Sequence, residues 1–244
     1  PSVSDRHQSI RVVYAANGDG VMEFGLRRAQ GPDAGLYGAR AAIIGGCVGT
    51  SNVLAGQLFD VPVMGTHAHS WIMSFPDEYT AFKAYADLYP DNCTLLVDTY
   101  DTLKSGVPNA IRVFREFKES GRTFKKYGIR LDSGDLAYLS KEAKKMLDAE
   151  GFTDAVISAS NDLDEHLISS LKDQGATINS WGVGTNLITS KDWPSFGGVY
   201  KLAAILDRKT GKFIPKIKTV RKRGKKLPNP GNKTIYRIYS REKP

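Results

Sequence analysis

Cysteine and histidine are scarce in this chain: two Cys and four His in 244 residues. Cys47 and Cys93 lie far apart, without a CxxC pair or Cys/His ligand spacing, so neither a zinc site nor a disulfide framework is supported and buried free thiols are expected. No apolar run approaches the roughly 20 residues that a spanning helix needs. The amino end, Pro1 to His7, lacks the basic-then-apolar order of a signal peptide. The expectation is a soluble, cytoplasmic chain with no membrane partner. Acidic residues are nearly missing from the last stretch: residues 207–244 hold fourteen Lys or Arg against two acids. The net charge of +8 therefore belongs to the tail, and the preceding residues are net acidic. Phe213, Ile214, Ile217, Val220, Ile235, Tyr236, Ile238 and Tyr239 interrupt the tail's charges, a pattern of strands with solvated Lys and Arg on open faces, so no nucleic-acid partner is expected.

What is present is an ordinary globular composition, 41% hydrophobic and 25% charged, sufficient for one large or two modest domains. After an irregular entry through Ile10 to Tyr14 and Gly18 to Gly20, an Ala/Gly-rich stretch from Ala29 to Gly46 reads as a tightly packed helix. A second helix begins near Ser51 or Asn52, either of which can cap it, and runs to about Phe59. From there strands at 61–64, 94–97, 127–131 and 155–159 alternate with helices at 77–89, 106–119, 140–150 and 164–174, and strands at 178–183 and 199–205 close the series. Short apolar strands separated by amphipathic helices predict right-handed βα units around a buried parallel sheet. Polar residues follow nearly every strand, which favours an α/β barrel with its site at the carboxyl ends over an open sheet with one switch point. The expected division is an entry segment at 1–20 from a missing amino-terminal domain, a barrel at 21–206, and a β-rich second layer or domain at 207–244.

Chemistry concentrates at those strand ends. His67 and His69 sit in a turn of small residues, Gly65 to Ser70. A structural role is the ordinary reading of a histidine there, but Asp98, Asp101, Asp132 and Asp135 fall at the same barrel face. A carboxylate that accepts an Nδ1 proton fixes the tautomer and leaves the other nitrogen as base or nucleophile. Arg130 and Asp132 share one side of a strand end and suit phosphate oxygens, ribose hydroxyls or a magnesium shell; a local salt bridge plus a helix cap from Asp135 or Ser140 is the plainer alternative. Gly182, Gly184 and Thr185, with Ser160 and Asn161 one strand away, form a candidate phosphate cradle. Phe24, Leu26, Arg27 and Arg28 suit a planar anion, stacked on the ring and held by a guanidinium, although core packing plus surface charges is the plainer reading from composition alone.

Taken together, Glu23 to Gln30, Gly49 to Val53, Gly65 to Ser70, Val97 to Thr102, Ile129 to Asp135, Ala159 to Leu163 and Trp181 to Thr185 resemble the nicotinate phosphoribosyltransferases. The resemblance covers roughly residues 20 to 240 with its motifs in order. It implies a barrel of the type II phosphoribosyltransferase kind joined to a smaller domain, and a homodimer with a shared active site. It also implies formation of nicotinate mononucleotide and pyrophosphate from nicotinate and phosphoribosyl pyrophosphate. ATP as co-substrate and Mg²⁺ are implied, with ATP hydrolysis coupled through a phosphohistidine that the Gly-Thr-x-Ala-His match puts at His69. Asp98 is similar to the carboxylate that orients it, Arg130 and Asp132 to the residues holding phosphoribosyl pyrophosphate, Ser160, Asn161, Gly182, Gly184 and Thr185 to the 5′-phosphate pocket, and Phe24, Leu26, Arg27 and Ser70 to the nicotinate side. Which residues touch Mg²⁺ stays open. The family has a further amino-terminal region with an aromatic residue that crosses the dimer, and nothing here matches it, so weak turnover by this chain alone is expected. The alternatives are a nicotinamide-using relative, against which Ser51 argues, and a non-catalytic truncated barrel.

Overall fold

The computed structural model describes residues 2–192, 194, 202–216, 230–236 and 238. The chain divides into two compact units, 1–196 and 197–244, a boundary ten residues before the expected one, with the entry residues inside the first unit. In that unit the described elements are α1 (Ser2–Ala16), β1 (Gly20–Glu23), α2 (Pro32–Ile44), β2 (Gly49–Thr50), α3 (Val53–Phe59), α4 (His69–Met73), α5 (Glu78–Leu88), β3 (Cys93–Leu96), α6 (Val107–Glu119), β4 (Tyr127–Leu131), α7 (Leu136–Ala149), β5 (Val156–Ala159), α8 (Glu165–Asp173), β6 (Ser180–Val183) and α9 (Thr185–Ile188).

All six strands are parallel and run β2-β1-β6-β5-β4-β3 across one curled sheet. That order is the cyclic order of a barrel opened between β2 and β3. The segment expected as strand 61–64 occupies the opening with much less pairing than a strand. It is tied to β2 by a bridge at Val63, by Thr50 N–H to Pro62 O (3.0 Å) and by Met64 N–H to Thr50 O (2.9 Å). A few residues on, the His67 Nε2 accepts the Leu96 N–H of β3 at 3.2 Å, so an imidazole takes the place of a backbone partner at that edge. Every residue of β3 and β6 is buried, as expected of strands covered on both faces. Leu95, Ile129, Leu131, Ile157, Trp181 and Val183 form the middle of the core, with Phe82, Phe114, Leu147 and Ile168 packed in from the helices.

Four of the helices, α3, α5, α7 and α8, start where short polar side chains take up free N–H groups. Asn52 accepts from Ala55 N, Asp77 from Thr80 N, Asp135 from Tyr138 N and Asp164 from Leu167 N. With Asp135 as cap, α7 starts at Leu136 and not at residue 140. The segment around Ile10 to Tyr14, expected to be irregular, lies in α1, whose Val12 and Ala16 are fully buried. The expected strand 199–205 is not a barrel strand: residues 199–201 lie outside the described residues, and β7 (Ala204–Leu206) pairs antiparallel with β8 (Phe213–Pro215) in the second unit. That hairpin is the regular secondary structure among the described residues of the second unit.

Candidate functional site

A cavity of about 610 Å³ opens at the carboxyl ends of the strands. Phe24, Leu26, Arg27, Ser51, Ser70, His69, Arg130 and Asp132 are among the residues that line it. Beside it lies a smaller, more polar recess of about 150 Å³, which shares Phe24, Arg27, Arg130 and Asp132 and adds Arg28, Ser160, Asn161, Asp162, Gly182, Gly184 and Thr185. Of the site residues that the resemblance implies, only Asp98 is absent from both linings, being buried behind the cleft; the further candidates His67, Asp101 and Asp135 lie in neither lining.

Arg130 is the hub. Its Nε donates to Ser160 Oγ (2.8 Å), its Nη1 to Thr66 Oγ1 (2.8 Å) and its Nη2 to Asp132 Oδ1 (3.0 Å). Ser160 Oγ also donates to Asp132 Oδ1, and the Phe24 ring centroid lies 5.6 Å from the guanidinium carbon. Ends of β4 and β5 and the turn before α4 are thereby locked to one planar cation. A guanidinium held on three sides keeps its orientation without paying the rotamer entropy at the moment of binding.

His69 begins α4. Its Nδ1 lies 3.0 Å from Thr99 Oγ1, and its Nε2 faces Asp132 Oδ2 at 3.6 Å and Asp98 Oδ1 at 3.9 Å. The expected carboxylate at Nδ1 is thus replaced by a threonine hydroxyl. Asp98 cannot reach that side because its Oδ2 is committed to the Asp132 N–H (2.8 Å) and the Ser133 hydroxyl (2.6 Å), which hold it toward β4. Its Oδ1 is buried with no hydrogen-bond partner. Asp101 and Asp135, expected in the same carboxylate cluster, instead accept from Lys104 N and Tyr138 N as helix caps.

His67 is a structural histidine. It is buried, accepts from Leu96 N, sets its ring edge against Tyr85 at 4.7 Å, and has its pKa lowered to about 4, above all by burial, with Arg130 and His69 adding repulsion. Glu23 was not anticipated in any role. It is fully buried, takes the Gly25 N–H and the Thr50 hydroxyl, and fixes the turn that presents Phe24; burial raises its pKa. A carboxylate at the end of an apolar strand was its only signal. Thr66, Thr99 and Ser133 gave none, since hydroxyl residues in loops are common.

Two glycines matter through close approach. A Cβ on Gly182 would sit 2.7 Å from the Phe24 ring, and one on Gly184 would sit 3.2 Å from the Phe24 carbonyl oxygen. Both packings bring the β6 end against the β1 end, where the two cavities meet.

As to metals, the described His, Cys, Asp and Glu side chains with three ligand atoms within 4.8 Å of one another are Glu165, His166 and Asp192, outside the cleft. Arg11 Nη2 is 2.6 Å from Glu165 Oε1 there, a cation where a metal would sit. The unpartnered Asp98 Oδ1, just behind the cleft, and Asp132 Oδ2, in its lining, are hard oxygen donors of the type Mg²⁺ takes when substrate oxygens complete its shell.

Fold and cleft define a βα-barrel protein whose cationic and hydroxyl side chains gather at the carboxyl ends of neighbouring strands. The chain belongs to the nicotinate phosphoribosyltransferase (NAPRTase) family, whose profile matches residues 20–214. It is 58% identical over 217 residues to the nicotinate phosphoribosyltransferase of Bacillus subtilis, covering 89% of this chain and 43% of that protein. The Dictyostelium discoideum enzyme is 41% identical, over 91% of this chain and 44% of that protein. Among solved structures, human nicotinic acid phosphoribosyltransferase superposes with a TM-score of 0.67 and 32% identity, covering 74% of this chain and 46% of that one. The chain spans less than half the length of the curated relatives it matches.

Proposed function

We propose that this chain carries the phosphoribosyl-transfer site of a nicotinate phosphoribosyltransferase, forming nicotinate mononucleotide and pyrophosphate from nicotinate and phosphoribosyl pyrophosphate. The observation that carries the reading is the Arg130 hub between the two cavities, one suited to an aromatic acid and the other to a phosphate. Nicotinate would lie on Phe24 with its carboxylate toward Arg27, beside Leu26 and Ser70; the 5′-phosphate would take the recess of Ser160, Asn161, Gly182, Gly184 and Thr185. Ser51 in the lining, where the nicotinamide-using relatives are expected to carry an acid, favours the negatively charged substrate.

In that arrangement the pyridine nitrogen attacks ribose C1 as the C1–O bond to pyrophosphate breaks. Arg130, pre-oriented by Ser160, Thr66 and Asp132, stabilises the charge that develops on the leaving oxygens. Asp98 and Asp132 would hold Mg²⁺, which would supply neutralising charge for the pyrophosphate oxygens. No protein nucleophile on the sugar is needed.

His69 is the proposed site of coupling to ATP. With the Nδ1–H donated to Thr99 Oγ1, Nε2 carries the lone pair that attacks the γ-phosphorus as the bond from phosphorus to the ADP oxygen breaks and its electron pair leaves with ADP. The proposal includes a homodimer sharing the site, supported by Val53, Leu54 and Leu58 exposed on α3 next to Ser51, and a cytoplasmic location, supported by the buried free thiols Cys47 and Cys93. The test is an assay of mononucleotide and pyrophosphate formation with nicotinate, and with nicotinamide in its place, each with phosphoribosyl pyrophosphate and with or without ATP. Nicotinate turnover stimulated by ATP is expected. Turnover of nicotinamide at the same rate would refute the substrate assignment.

A further inference from the structure

The turn after β5 contains two consecutive non-glycine residues in the left-handed region, Asn161 at φ 94° and Asp162 at φ 46°. Such conformations are costly for residues with a Cβ and persist where the surroundings over-determine them. Here the determinant is one side chain. Asn186, in the first turn of α9 and buried, donates its amide to Asp162 O and to Leu163 O, both at 2.9 Å. Asn161 and Asp162 line one wall of the 150 Å³ recess, while Gly182, Gly184 and Thr185, immediately before Asn186, line the other. Past the end of the β5–β6 pairing, that amide ties the two walls together. The recess is small enough for one phosphoryl group, and in its lining Arg27, Arg28 and Arg130 outnumber Asp132 and Asp162, which leaves net positive charge to meet one.

We propose that Asn186 is a positioning residue for phosphate binding: by clamping the strained 161–162 turn to α9, it holds the two walls of the recess at the separation that a phosphate monoester requires. The inference rests on the phosphate reading of this recess given above. It does not touch the anion itself and acts through the backbone it pins. The strain identifies the turn as held for binding: two residues with free choice would relax, and the chain instead spends a buried amide to prevent it.

Asn186→Asp keeps the shape and replaces the donor by an acceptor that repels both carbonyls. The experiment is calorimetric titration of this chain, unmodified and as Asn186→Asp, with inorganic phosphate, phosphoribosyl pyrophosphate and nicotinate, together with amide hydrogen exchange. The Kd for both phosphate ligands should weaken by about tenfold or more, from the loss of two buried hydrogen bonds, while nicotinate stays within about twofold. Exchange should accelerate at residues 161–163 and not in β3 or β4. Unchanged phosphate affinity, or equal weakening for nicotinate and phosphate, would overturn the proposal and leave Asn186 as ordinary packing. An unmodified chain that binds no phosphate ligand overturns the reading of the recess as well, so the two failures are distinguishable. If Asn186→Asp does not fold, Asn186→Ser, which retains one donor, is read in the same way with a smaller effect; full phosphate affinity in that variant overturns the proposal.

Discussion

Lowering the pH should weaken this fold through His67 specifically. The imidazole is buried, its Nε2 accepts the Leu96 N–H at the β3 edge, and its pKa is lowered to about 4 from the ordinary 6.5. Its folded pKa is below its unfolded one, so between pH 6.5 and pH 4 the unfolded chain binds a proton that the native chain refuses. Stability is therefore intact above the unfolded pKa and is lost as pH falls toward the folded one. A depression of this size corresponds to about 3 kcal/mol across the window, since one pKa unit is about 1.4 kcal/mol. Protonation would also turn the acceptor of the Leu96 N–H into a donor and open the only side-chain link that spans β3 and the 61–67 segment among the hydrogen bonds described. The assay is denaturant unfolding at pH 7.5, 6.0, 5.0 and 4.0 for the natural chain and for His67→Gln. The variant starts less stable and follows a flatter curve, so the gap between the two narrows as pH falls. Curves that stay parallel from pH 7.5 to 4.0, or an imidazole NMR titration of His67 with a midpoint near 6.5, would refute the reasoning.

Gly184→Val should raise the KM for phosphoribosyl pyrophosphate well above any change for nicotinate, because the new side chain starts 3.2 Å from the Phe24 carbonyl and faces the recess; equal effects on both substrates would indicate a general packing defect. His69→Ala should abolish acid-labile ³²P transfer from ATP, and His67→Ala should retain it; the reverse pattern would move the phosphoryl acceptor to His67. Thr99→Ala should slow that transfer by about tenfold through loss of the Nδ1 partner, with Thr99→Ser restoring it, whereas a serine variant as slow as alanine would count against a hydroxyl contact.

Most of the barrel was legible because its strands are short apolar runs between amphipathic helices; Asn52 reads as one of two caps for α3, while the pattern begins α7 at residue 140, four residues after its start behind the Asp135 cap. β1 and β2 escaped: Gly20–Glu23 and Gly49–Thr50 have four and two residues, too few for a period to show, and they exist as strands through pairing with β6 and with each other. The 61–64 segment reads as a strand by composition but finds a backbone partner on β2 alone. At the site, charged and aromatic residues stood out because few structural uses compete for them, so Arg130, Asp132 and Phe24 were visible. Of the hydroxyls and amides, Ser70, Ser160, Asn161 and Thr185 were read as site residues, and others were not. Thr99, Thr66 and Asn186 acquire meaning only once the fold brings His69, Arg130 and the 161–162 turn against them. Asp98 shows the limit of pairing by type: its position was legible, but the nitrogen it faces depended on Ser133 and the Asp132 amide.

The central claim, that Arg130 joins a phosphoribosyl pyrophosphate site to a nicotinate site, is tested most directly by calorimetric titration of this chain with phosphoribosyl pyrophosphate, followed by nicotinate or nicotinamide, for the natural sequence and for Arg130→Met. The account predicts one phosphoribosyl pyrophosphate per chain, nicotinate binding preferred over nicotinamide, and loss of the first binding in Arg130→Met with the fold retained. Phosphoribosyl pyrophosphate affinity undiminished in a folded Arg130→Met variant would contradict it.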